Sequence, residues 1–78
     1  MITQKITADP QSRNEAITEL LTQAARQTQL ADNARDRARK AMRSGKFREF
    51  DTHMQRSGGH RENANALHAE ARRIRENG

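Results

Sequence analysis

The residues of this chain best suited to metal or acid–base chemistry are three histidines, His53, His60 and His68. Ligands that share one helical face sit three or four residues apart. These stand seven and eight apart, and neither an HExxH nor a Glu-x-x-His spacing occurs. Glu49 and His53 are four apart, which reads as a surface or seam pair and not as a metal site. Gly58-Gly59 is no phosphate loop, because no strand precedes it and no GxxxxGK follows. No serine, lysine or carboxylate stands in a nucleophile–base arrangement, and cysteine is absent. The residue types therefore point to a non-enzymatic protein, with no metal, no cofactor and no small-molecule substrate expected.

Charge is the stronger signal. The formal net charge is +5 and the sequence pI about 11.1. Asp9, Glu15 and Glu19 place acid near the start of the chain, and Arg72, Arg73 and Arg75 place base near its end, as helix dipoles favour. That leaves seven cations in the middle: Arg35, Arg37, Arg39, Lys40, Arg43, Lys46 and Arg48, against the single acid Asp36. Arg35, Arg39 and Arg43 recur every four residues, so on a helix they repel one another unless an anion is present. These seven are the expected partner-binding residues, for an acidic protein surface or for the phosphate backbone of DNA or RNA. With no Tyr or Trp, and with Phe47 and Phe50 expected on a core stripe, base stacking is not available.

The elements that carry these residues read as helices. Of 25 apolar residues twelve are alanine, there is no valine, and arginine, glutamate and glutamine are frequent, which favours an all-α chain. Residues 1–8 carry no capped helical start and are read as an N-terminal arm, with a helical hairpin over 9–78. Asp9-Pro10 offers an N-cap followed by an N1 proline, and Ser12 to Glu15 matches a capping box, so the first helix begins between Asp9 and Arg13. Ser44-Gly45 ends it. A second helical segment runs from near Lys46 to about Glu76.

Apolar spacing fixes how the two segments meet. Ile17, Leu20, Ala24, Gln27, Ala31, Ala34, Ala38 and Ala41 step by threes and fours. In the second segment Phe50, Ser57, Ala64 and Ala71 recur every seven residues. Their companions are Phe47 and Met54 first but Leu67 and Ile74 later, a slip that predicts a kink or break at Gly58-Gly59. Folding back at Gly45 so that facing positions sum to 91 pairs Ile17 with Ile74, Ala24 with Leu67, Gln27 with Ala64 and Ala41 with Phe50, and sets His60 near Ala31 as an inter-helix histidine. The expected fold is an antiparallel αα-hairpin of two long helices.

Large apolar side chains number only thirteen, and one seam leaves Leu21, Ala25, Leu30, Met42 and Ala66 on its flanks. These five are the expected self-association residues, covered when two hairpins pair into a four-helix bundle dimer. Apolar runs are too short for a membrane span or a secretory signal, and alanine-rich faces lack the bulk that membrane-surface helices need, so a cytoplasmic protein is expected. The sequence thus reads as a small, self-associating regulatory or interaction module that binds a macromolecular partner, with a nucleic-acid-binding accessory protein as the alternative.

Overall fold

Alanine, arginine and glutamate lose little side-chain entropy in a helix, and between Pro10 and the glycine at 45 no proline or glycine interrupts them. In the computed structural model, which describes residues 10–77, the chain is accordingly helical from Pro10 to Arg43 (α1, 34 residues) and from Phe47 to Asn77 (α2, 31 residues). The expected arm over 1–8, and Asp9 with it, lie outside the described residues. Since α1 is already helical at Pro10, Ser12 sits within the helix, and the capping-box pattern from Ser12 to Glu15 does not mark its start. The first turn of α1 holds no acid. Glu15 and Glu19 lie deeper in the helix, where the dipole of the terminal turn has fallen off, which corrects the expected dipole pairing for those two.

Between the helices the chain reverses on Gly45, whose φ of +74° is the left-handed conformation. The Lys46 N–H donates to the Ala41 carbonyl at 2.8 Å and the Gly45 N–H to the Met42 carbonyl at 3.1 Å. These are the two bonds of a Schellman motif, which satisfy carbonyls that the end of α1 would otherwise leave open. Lys40 and Arg43 stand in the last turn of α1 and Glu49 in the first turn of α2, each complementing the local helix dipole.

The two helices pack against each other along one seam, with overall extents of 58 × 20 × 13 Å. Its buried residues are Ala24, Ala31, Ala34, Ala38 and Ala41 from α1 and Ser57, Ala64 and Ala71 from α2. All eight stand on the stripes read from the sequence. No large side chain is fully buried, so the core of the hairpin is made of methyl groups and one hydroxyl. A third dimension of 13 Å is close to the roughly 10–12 Å width of a single helix, which leaves both broad faces of the pair open.

Two expectations about α2 are overturned. The helix is continuous through Gly58-Gly59, with no break. Nor is there a slip for a kink to absorb: apart from Glu70 at the seam's edge, the half-buried and buried residues are Phe50, His53, Ser57, His60, Ala64, Leu67, Ala71 and Ile74, a uniform alternation of threes and fours. The row that was expected to begin with Phe47 and Met54 begins with His53 and His60 instead. Phe47 is 62% exposed and Met54 40%, so Phe47 does not belong to the core stripe. The reason is rigidity. Positions 53 and 54 point about 100° apart, and a continuous helix cannot bury one row in its first half and another in its second. Burying the row of Phe47 and Met54 throughout would also bury Arg61 and Arg75, which costs more than half-burying two histidines.

Candidate functional site

Seam positions come in two kinds, and each kind is flanked by its own row of residues, exposed except for the half-buried Glu70. Residues four after Ile17, Ala31, Ala38, Phe50, Ser57, Ala64 and Ala71 are Leu21, Arg35, Met42, Met54, Arg61, His68 and Arg75, and they border the seam on one broad face. Residues three after Gln27, Ala34, His53, His60 and Leu67 are Leu30, Arg37, Arg56, Asn63 and Glu70, and they border it on the other. The first is the trough face and the second the histidine face.

Three shallow depressions open on the trough face. One lies between Ile17, Leu21, His68, Ala71, Arg72 and Arg75. His68 also lines the second, with Thr28, Ala31, Asp32, Arg61 and Ala64 among its walls. Arg61 in turn lines the third, together with Arg35, Met54, Ser57 and Gly58. Because neighbours share a side chain, the three join into one trough. From Met54 to Arg75 it extends roughly 30 Å at about 1.5 Å per residue. Its floor is small and mainly apolar, and its walls carry four arginines against one acid, Asp32. The depressions, at about 170, 240 and 270 Å³, each fall short of the roughly 300 Å³ at which small-molecule sites begin.

On the histidine face, polar groups cross the seam. Nδ1–H of His60 donates to Oε1 of Gln27 at 2.8 Å, which requires the Nδ1-protonated tautomer. Nδ2 of Asn63 donates to the same oxygen at 3.4 Å. His60 is thus the satisfied inter-helix histidine that the sequence suggests, with Gln27 as its partner. Nδ1 of His53 is buried and has no hydrogen-bond partner among the described residues. Around this network Leu20, Leu67 and Ile74 are half-buried, and Leu30 is 38% exposed.

The seven turn-end cations are all exposed, and none makes an ion pair with another described residue. They do not form one patch. Arg35 and Arg39 lie toward the trough face, Arg37 and Lys40 toward the histidine face, Arg43 and Arg48 on the outer sides, and Lys46 in the connection. The turn end is therefore cationic all round. Sequence reasoning missed the arginines that α2 sets on the same face as Arg35, namely Arg61, Arg72 and Arg75. The signal was there, because Arg61, His68 and Arg75 each follow a small seam residue by four. The five expected self-association residues are likewise exposed but divided: Leu21, Ala25 and Met42 lie on the trough side, Leu30 and Ala66 on the histidine side.

A further depression, about 590 Å³, lies on the outer side of α1 along Asn14, Glu15, Thr18, Glu19, Thr22 and Arg26. Its described lining holds no histidine and no nucleophile beside a base. Among the described residues no group of three or more His, Cys, Asp or Glu could hold a metal ion, and no helix is long and apolar enough to cross a membrane. Glu70 and Arg73 pair three residues apart on the surface of α2, an exposed contact of little energetic weight. No family model matches this chain, and no curated protein or solved structure is similar to it at a significant level.

Proposed function

We propose that this protein is a small non-enzymatic interaction module that pairs into a four-helix bundle and holds a macromolecular partner on its cationic surface. One observation carries the pairing: the hairpin's core is seven alanines and a serine, while its large apolar side chains stay half-buried or exposed. A second hairpin would remove that surface from water, at roughly 25 cal/mol per Å² of apolar area. The histidine face is the better seat for a copy. It offers Leu20, Leu30, Leu67 and Ile74, and its flanking charges are of both signs, Arg37, Arg56 and Glu70 among them. On the trough face a two-fold axis would bring arginines against arginines, which disfavours self-pairing there.

Light scattering with circular dichroism tests this across sub-micromolar to about 100 µM protein, spanning ordinary dimer affinities. The expected result is a folded dimer that Leu67→Lys converts to monomer. A folded wild-type monomer at micromolar concentration would overturn the pairing.

A second reading is favoured by the turn end alone, where seven exposed cations stand against the single acid Asp36 and make no ion pair with another described residue. There the partner is a nucleic acid held by its phosphates. Such binding should weaken steeply with salt and be lost in a protein carrying Arg39→Glu and Arg43→Glu. Failure to retard DNA or RNA at low salt would remove this reading.

A further inference from the structure

We infer that the trough between α1 and α2 is a docking groove for an acidic amphipathic helix of a partner protein. The inference rests on the reading of this chain as an interaction module and names the surface and the chemistry of the partner.

Three features of the trough agree on a helix as occupant. First, the repeat matches. Arg61, His68 and Arg75 stand seven residues apart along one wall, about 10.5 Å per step. A helix laid along the groove repeats its own side chains at the same interval, so carboxylates at every seventh position meet those groups in succession. Second, the floor is shaped for close approach. Ala31, Ser57, Ala64 and Ala71 leave it shallow, with Leu21 toward one end and Met54 toward the other to take apolar side chains.

Third, Gly58 lies in the groove wall beside Met54 and Arg61. Glycine in a helix interior is disfavoured, yet a Cβ built at Gly58 meets nothing within 4 Å. Packing inside the hairpin therefore gives no reason for glycine there, whereas the approach of an external backbone does.

Charge then selects the occupant. Four arginines oppose only Asp32, and none of the four is paired with another described residue. A second copy of this chain would bring the same cations to the same groove, so the complementary partner is acidic. A phosphate backbone would meet the charge requirement but has no use for an alanine floor or for apolar ends.

A labelled synthetic peptide of about three heptads tests the groove, with Leu and Ala along its seam and Glu on both flanks, read by fluorescence anisotropy at about 50 mM salt. A peptide with Lys in place of Glu and a duplex DNA serve as comparisons. The Glu peptide should bind the full chain and the Lys peptide should not. Arg61→Glu with Arg75→Glu should weaken the Glu peptide by about tenfold or more and let the Lys peptide bind, a reversal that unfolding cannot mimic. Gly58→Leu should weaken binding while circular dichroism shows helix content retained.

No binding of the Glu peptide, binding unaffected by the two reversals, or a duplex that binds and depends on Arg61 and Arg75 would each overturn the groove assignment. Retention on immobilised polyglutamate, read in parallel, separates that failure from failure of the interaction-module reading. If retention persists in the Arg61→Glu, Arg75→Glu protein and is lost with Arg39→Glu and Arg43→Glu, the chain still holds an anionic partner, at the turn end and not in the groove.

Discussion

His60 of α2 donates to Gln27 of α1 across the seam, Nδ1 to Oε1 at 2.8 Å, where the α1 row of Ala41 and Ala34 gives way to Gln27 and Leu20. A hydrogen bond of this kind has a modest net worth, but removing one partner leaves the other half-buried and unsatisfied. Gln27→Ala should therefore cost about 1–2 kcal/mol, and a double-mutant cycle with His60→Ala should return a coupling of roughly 0.5–1.5 kcal/mol. Urea unfolding followed by circular dichroism measures both. Strict additivity would show that the contact does not hold the helices together.

His53 sits one heptad earlier in the same row, with a buried Nδ1 that has no partner among the described residues. Leu67 and Ile74 continue that row with apolar side chains. His53→Leu removes the orphaned atom and extends the apolar row, and the midpoint of thermal unfolding should rise by the equivalent of about 1 kcal/mol. An unchanged or lowered midpoint would mean that Nδ1 is satisfied in solution.

Glycine has opposite roles at two places. At Gly45 a positive φ is built into the turn, so Gly45→Ala should destabilise by about 1–2 kcal/mol. At Gly58 and Gly59 the backbone is helical and a Cβ meets nothing, so alanine at either position should stabilise by roughly 0.5–1 kcal/mol. Denaturant midpoints of the three single variants should fall on opposite sides of the wild type. A destabilised Gly58→Ala would indicate contacts that an isolated hairpin does not have.

Ala38 is fully buried where the helices meet. Larger side chains there must push the backbones apart, at a typical cost of about 1–3 kcal/mol. Ala38→Leu should lower the unfolding midpoint accordingly, while Ala25→Leu, at an exposed position, should leave it nearly unchanged. Equal effects at the two positions would mean that the alanine seam is not close-packed.

Those contrasts follow what was and was not legible in the residues. Both helices, the turn at Gly45 and the small stripe through Ala24, Ala38, Ala64 and Ala71 can be read from local rules, because propensity, the left-handed preference of glycine and a seven-residue period act within a few residues of chain. The hydrogen-bond partners of Gln27 cannot be read that way, and the place of Arg61 on the face of Arg35, although it follows Ser57 by four, is fixed only once the seam row of α2 is known. They depend on the rotation of α2 about its own axis, and on that point the sequence offers two competing rows.

Apolar character favours Phe47 and Met54 in the first half of α2, and Leu67 and Ile74 in the second. Local rules let the chain change rows at Gly58-Gly59. Only packing along the whole length decides between them, because one rigid helix presents one row, and the row of Met54 brings Arg61 and Arg75 with it. Two histidines were accordingly set at the seam and two arginines left beside the groove. What the residues determined alone was two helices and a reversal. The tertiary structure determined which side chains look outward together.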